Sequence, residues 1–206
     1  MFMTKHLKEF FLFPDVLILC LALCAGLGWT VATFDAWAPL AFLLGTLLFA
    51  VSEYVTHRFF FHLPPPRHPF LLRLLKRLHY DHHERPQERE LLFLPIWYSG
   101  PQLLLVGVLA YLVTSSLDAA IHFLSGAMAY HLYYEWKHFV AHRPIRPLTP
   151  WGRKMKRLHL LHHFKNENYW FGVTEPVLDQ WFGTFPDEGK VELSPTARKL
   201  SEKPWA

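Results

Sequence analysis

Two long stretches of the chain carry no lysine or arginine. One runs from Glu9 to His57 and the other from Glu90 to Trp136, and in both the apolar residues are bunched into continuous blocks. A soluble fold rarely omits solubilising cations for so long, so both blocks read as membrane. Each is long enough for two helices of roughly 20 residues, the length that crosses the hydrocarbon of a bilayer. The pattern predicts an all-α integral membrane protein with helices at about 12–33, 38–57, 96–114 and 118–138. TFDAWAP separates the first pair and TSSLD the second, short polar or proline-marked turns suited to tight helical hairpins.

All 21 Lys and Arg residues fall in the N-terminal tail, the loop from Arg58 to Arg89 and the part from Lys137 onward. By the positive-inside rule these regions, with both termini, are cytoplasmic. The formal charge of +4 reflects this topology, with some attraction to anionic lipid headgroups, rather than a nucleic-acid surface. The expected organisation is a single membrane-embedded domain over 1–206. Its two hairpins are capped by cytoplasmic helical segments at about 57–95 and 138–206. Lys5 and Lys8 before an apolar run, with Ala36-Trp37-Ala38 after it, resemble a secretory signal, but the run is too long for one. Cys20 and Cys24, one turn apart on the first span, suit packing as small apolar residues.

Histidine changes the picture most. Ten of the 14 histidines form four groups: His57 with His62; His79, His82 and His83; His138 with His142; and His159, His162 and His163. In H-x-x-H-H the positions i, i+3 and i+4 share one helix face. His57 and His62 are five apart, about 140° on an ideal α-helix, and converge only if the helix bends or ends between them. Pro64, Pro65 and Pro66 mark an end nearby. All four groups lie at cytoplasmic helix ends or in cytoplasmic segments, so they can meet in one layer under the membrane. Ten imidazoles exceed the needs of one ion, because structural zinc takes four ligands and catalytic zinc three plus water. Two metals with about five histidines each fit better, and such ligands suit iron, copper, zinc or nickel rather than calcium or magnesium. Ordinary interfacial histidines, some touching lipid phosphate, are the bland alternative that this arrangement disfavours.

Glu53, four residues before His57, and Glu135, three before His138, are placed to take the second N–H of a metal-bound imidazole; pairing with a nearby Arg or Lys is the simpler role. His6 and His68 are expected in solvent and His122 near the far side of the membrane. His131 lies on nearly the face of His138 but about 10 Å deeper, where it could line a substrate or water pocket. Tyr169, Trp170 and Phe171 read as an interfacial aromatic belt in preference to a pocket wall. LLRLLKRLHY at 71–80 reads as amphipathic and lying on the membrane surface.

In order, HRFFFH, HYDHH, HFVAH and HLLHH resemble the histidine boxes of the fatty acid hydroxylase superfamily, which includes sterol desaturases and hydroxylases. They are most similar to those of its fatty acid 2-hydroxylases. EYVTHRFFFH with its proline run is similar to the first box, YEWKHFVAH to the third, and HHFKNENYWFGVTEPVLDQWFGT to the last box and its tail; together they cover roughly residues 50 to 185. The resemblance implies a dimetal oxygenase, iron in the active form, with O2 as cosubstrate and the ten patterned histidines as ligands. It also implies a supporting role for Asp179 in LDQWFGT. Zinc is able to replace iron in a histidine site. The residues before the first span cannot hold the cytochrome b5 domain that eukaryotic 2-hydroxylases often carry. The expected partners are therefore a lipid acyl substrate and a separate electron donor, a cytochrome b5-like protein or a ferredoxin with its reductase. A metal layer near the interface faces a carbon close to a lipid headgroup, which favours carbon 2 of an acyl chain. The alternatives are a sterol or carotenoid hydroxylase or lipid desaturase, a metal-binding membrane transporter, and a zinc-stabilised lipid-binding protein.

Overall fold

The computed structural model describes residues 2–205, which among themselves form helices and no strand. In chain order the helices are α1 (Phe2–Phe11), α2 (Pro14–Ala32), α3 (Ala38–Val55), a π-helix (Thr56–Phe61), α4 (Pro69–Leu75), a second π-helix (Lys76–Tyr80), α5 (Asp81–Glu84), α6 (Arg89–Leu92), α7 (Ile96–Thr114), α8 (Leu117–His142), α9 (Pro150–Phe164) and α10 (Val177–Trp181). The chain divides into two compact units. One comprises Met1–Val51 and Leu94–Trp136, the other Ser52–Phe93 and Lys137–Ala206.

The first unit holds the apolar hairpins. Pro14 opens α2 at a position where the missing N–H costs nothing, and the Asp35 side chain accepts from the N–H groups of Trp37 and Ala38 to start α3. α7 stops at Ser115, which takes the left-handed conformation (φ 53°). α3 and α8 approach so closely that a Cβ added to Gly45 would lie 1.9 Å from the Phe123 carbonyl, and one on Gly126 1.9 Å from that of Phe42. Small residues thus set the distance between these helices. Leu21, Val31, Leu47, Leu104, Leu112 and Val113 are all exposed, the surface expected of a lipid-facing bundle.

Among the described residues, three segments are long and apolar enough to cross a membrane: Pro14–Ala32, Ala38–Phe61 and Arg89–Thr114. The fourth expected span lies within α8, which at 26 residues has the length but carries Asp118, His122, His131 and Glu135 along it. His6, expected in solvent, is buried and donates from Nδ1 to Glu9 (3.1 Å). His68 is exposed, and His122 pairs with the Thr33 hydroxyl.

Apolar clusters pack the second unit. Met155, Leu158, Trp170 and Val191 form one; Tyr54, Phe171 and Leu178 form another. α9 starts with Thr149, whose hydroxyl accepts from the Gly152 N–H (3.0 Å), followed by Pro150 in the first turn. Trp170 and Phe171 are 1% and 3% exposed, so the expected interfacial belt is a buried wall instead. Its backbone, held by Asp179 and Thr184, turns the rings inward.

Candidate metal centre

All ten patterned histidines lie in the second unit, buried, and they sort into two groups of five. His57, His62, His79, His83 and His162 form one; His82, His138, His142, His159 and His163 form the other. Within each group one nitrogen from every ring lies within 4.8 Å of all the others. Each triplet is divided between the groups. Its first and last residues, four apart, go to one group and its middle residue to the other: His79 and His83 against His82, His159 and His163 against His162. On a helix i+4 lies 40° to one side of i and i+3 lies 60° to the other, so the triplet straddles two directions. The rings of His83 and His163 stack with centroids 4.0 Å apart where the groups meet.

His57 and His62 converge by a device the α-helical reading did not contain. From Thr56 to Phe61 the helix is π, with His62 as its C-cap. Hydrogen bonding from i to i+5 widens the turn so that residues five apart come onto one face, and the two rings lie 5.0 Å apart. A second π-helix carries His79 into the same group.

The tautomers of four rings follow from their partners. A carbonyl only accepts, so a ring nitrogen bonded to one must carry the proton. His57 Nδ1 donates to Phe171 O (2.5 Å), His162 Nδ1 to Tyr169 O (2.8 Å), His83 Nδ1 to Ala197 O (2.7 Å) and His138 Nδ1 to Leu92 O (2.8 Å). Their neutral rings therefore hold a lone pair on Nε2.

That assignment tests whether a cation fits. In the first group Nε2 of His57 lies 3.2 Å from that of His79, His79 lies 2.8 Å from His62, and His62 lies 3.0 Å from His162. His57 and His162 have no Nε2 proton, so His79 and His62 supply at most one each. At least one of the three contacts then holds no hydrogen bond and sets two lone pairs or two N–H groups face to face, whereas a cation among four deprotonated Nε2 atoms satisfies them all. In the second group Nε2 of His138 and His82 are 2.9 Å apart, and those of His142 and His159 are 2.8 Å apart. Nitrogens about 2.1 Å from one ion lie about 3.0 Å apart at right angles and about 3.4 Å apart at tetrahedral angles. The donor sets thus suit a metal with more than four ligands. Burial, reinforced by neighbouring imidazoles, holds His79, His82, His159, His162 and His163 well below the usual histidine range. Burial takes His83 down to about 3. Neutral imidazole is the form that binds a metal.

The carboxylates act one step away from where the sequence placed them. Glu53 does not reach His57. Its oxygens accept from the N–H groups of Val173 (2.7 Å) and Thr174 (3.0 Å) and from the Thr174 hydroxyl (2.6 Å). Asp179 accepts from the N–H of Phe171 (2.9 Å), the N–H of Gly172 (2.8 Å) and the Thr184 hydroxyl (2.6 Å). Together they pin the segment whose Phe171 carbonyl orients His57. Gly172 is required there, since an added Cβ would lie 2.0 Å from Glu175 O. Arg58 extends the network by donating to Tyr54 Oη (2.7 Å), which pairs with Thr184 (2.8 Å). In the first unit Glu135 accepts from the Leu94 N–H (3.0 Å) and pairs with His131 (3.2 Å), whose ring stacks on Phe49 (4.7 Å). Sequence reasoning missed the carbonyls of Tyr169, Phe171, Ala197 and Leu92, and the side chains of Tyr54, Thr184 and Arg58. No residue type signals a carbonyl acceptor.

The fatty acid hydroxylase family profile matches residues 42–184, and the chain belongs to that family. It is 31% identical over 165 residues to human fatty acid 2-hydroxylase, covering 78% of this chain and 43% of that protein. It is 34% identical over 157 residues to the ceramide very long chain fatty acid hydroxylase SCS7 of Saccharomyces cerevisiae, covering 72% and 38%. A solved structure of full-length scs7p, in which only the hydroxylase domain is visible, superposes with a TM-score of 0.72 at 29% identity, covering 84% of this chain and 65% of that one. The chain spans less than half the length of these two curated relatives.

Proposed function

We propose that the chain is a membrane-bound dimetal oxygenase that hydroxylates carbon 2 of a fatty acyl chain, free or within a sphingolipid, ceramide or other lipid. The observation that carries this reading is the pair of five-histidine groups with converging ring nitrogens, in a family named for fatty acid hydroxylation. The names of the human and yeast relatives supply the position and the lipid class. The balanced reaction takes R–H, O2, two electrons and two protons to R–OH and water. The electrons come from a cytochrome b5-like or ferredoxin donor.

His57, His62, His79, His83 and His162 hold one ion, and His82, His138, His142, His159 and His163 the other. Iron in these sites supplies O2 reduction and the oxidising power for the C–H bond. The protein supplies orientation. The carbonyls of Phe171, Tyr169, Ala197 and Leu92 keep Nδ1–H of four rings occupied, so that Nε2 faces inward. Glu53 and Asp179 keep the Phe171 carbonyl in place. The aromatic wall of Phe171, whose ring lies 5.7 Å from His57, 5.2 Å from His62 and 5.3 Å from His162, limits water at the first group. His131 and Glu135 are a buried ionisable pair on α8, a position that favours a functional role, here lining a substrate or water pocket. Four spans in two hairpins, with both termini and the histidine layer cytoplasmic, follow from the apolar helices and the confinement of the cations.

Mass spectrometry of fatty acids hydrolysed from cells given 18O2 tests the reaction. Labelled 2-hydroxy acids are expected with the wild type and not with His138→Ala. Label on a sterol or carotenoid with unchanged acyl chains would overturn the substrate, and no labelled lipid despite bound iron and a competent donor would overturn the oxygenase.

A further inference from the structure

The family match ends at residue 184, yet one of the carbonyls that orients the histidines lies beyond it. Ala197 is buried and accepts the Nδ1 proton of His83 at 2.7 Å. The segment that presents it is fastened on both sides. The Ser194 N–H donates to Lys165 O (2.8 Å), Asn166 Nδ2 donates to Glu192 O (3.2 Å), and the Thr196 hydroxyl donates to Glu167 Oε1 (2.6 Å). Glu167 is fully buried, and Thr196 supplies its hydrogen bond. Further on, Arg198 donates to Glu84 O (2.7 Å), beside His83, and Lys203 Nζ to Asn168 Oδ1 (2.8 Å). Leu200 is buried and Trp205 Nε1 reaches Pro65 O (3.2 Å). The clasp thus ties residues 192–205 to the ends of the two helices that carry His83 and His162.

From this we infer that residues 192–205 are a positioning element for one metal only, the ion held by His57, His62, His79, His83 and His162. Their purpose is to set the tautomer and direction of His83. The inference rests on the dimetal reading. Without the Ala197 carbonyl, the Nδ1 proton of His83 loses its acceptor, and either nitrogen of that ring can carry it. The second group receives no hydrogen bond from this segment among the described residues, so its ion should not respond.

The test is ion retention against a chelator, with iron counted per purified full-length chain and the two iron environments resolved by 57Fe Mössbauer spectroscopy. The wild type should retain about two ions, and a chain ending at Glu192 about one. Adding His142→Ala to the shortened chain should remove the remaining ion. Thr196→Val with Lys203→Met, a milder change in case the shortened chain does not fold, should release one ion about tenfold faster or more while the other is unchanged. Thr196→Ser should restore it. Two ions retained equally by the shortened or the doubly substituted chain, or both ions weakened together, would overturn the inference. A wild type that holds fewer than two ions would instead overturn the dimetal reading beneath it.

Discussion

Of the two histidine groups, one is held by irregular backbone and the other by regular helix. In the first, three of five rings donate Nδ1–H to carbonyls, those of Phe171, Tyr169 and Ala197, and two histidines sit on π-helices. In the second, His138 and His142 lie on α8 and His159 and His163 on α9, each pair four residues apart. There only His138 has a carbonyl partner among the described residues; Nδ1 of His82, His142, His159 and His163 has none. Two imidazoles one turn apart on a stable helix already point the same way. Helical register thus aims four of the five rings of the second group, those on α8 and α9. The first depends on segments that regular hydrogen bonding does not fix, so perturbing those segments should strip it selectively.

The largest effect should come from register. Deleting Phe60 leaves His57 and His62 four apart, removes the reason for the π-helix and shifts the proline run that follows. Labelled product should fall to background and one ion should be lost; full activity in the deletion would show that the π-helix is incidental. Next comes the loop that orients His57. Gly172→Ala forces a Cβ to within 2.0 Å of Glu175 O, and Glu53→Ala frees three donors. Each should weaken the first ion about 10–100-fold, the usual consequence of losing support behind a ligand, and leave the second in place, as read by chelator competition.

Acid should treat the groups alike, because burial depresses the imidazoles of both. His79, His82, His83, His159, His162 and His163 stay neutral in the fold, whereas an unfolded chain protonates near pH 6.5. Below that pH the unfolded state binds more protons, so stability falls as pH drops from about 6.5, down to about 3 for His83. Protons compete with metal over the same range. Metal release followed against pH should therefore begin below about 6.5; release that begins above pH 8 would contradict neutral ligands. The smallest effect is Tyr54→Phe, which removes the hydroxyl linking Arg58 to Thr184. It should cost about 0.5–1.5 kcal/mol of stability in denaturant unfolding and leave both ions bound.

The same contrast explains what could be read from the sequence. The helices over 14–32 and 96–114 and the turn at TFDAWAP follow from apolar length and turn chemistry. That His138 and His142 share one helix face follows from their i, i+4 spacing. The identity of the ten clustered histidines was legible because they recur at helical spacing, but their division was not, since H-x-x-H-H looks like one face until the 100° between i+3 and i+4 is considered. The π-helix at 56–61 was hidden because five-residue spacing has no meaning in an α-helix. Tyr169, Phe171 and Ala197 were hidden because any residue carries a carbonyl. Trp170 and Phe171 misled for a related reason. Aromatic composition suits both a membrane belt and a buried wall, and only the bonds from Asp179 decide between them.

The most direct test of the account is the metal content of the purified protein, wild type beside His162→Ala and His142→Ala, reconstituted with iron and then challenged with a chelator. Two independent five-histidine sites predict about two ions per chain in the wild type and about one in each variant, with different Mössbauer doublets surviving in the two. A single ion in the wild type that either substitution abolishes would contradict it.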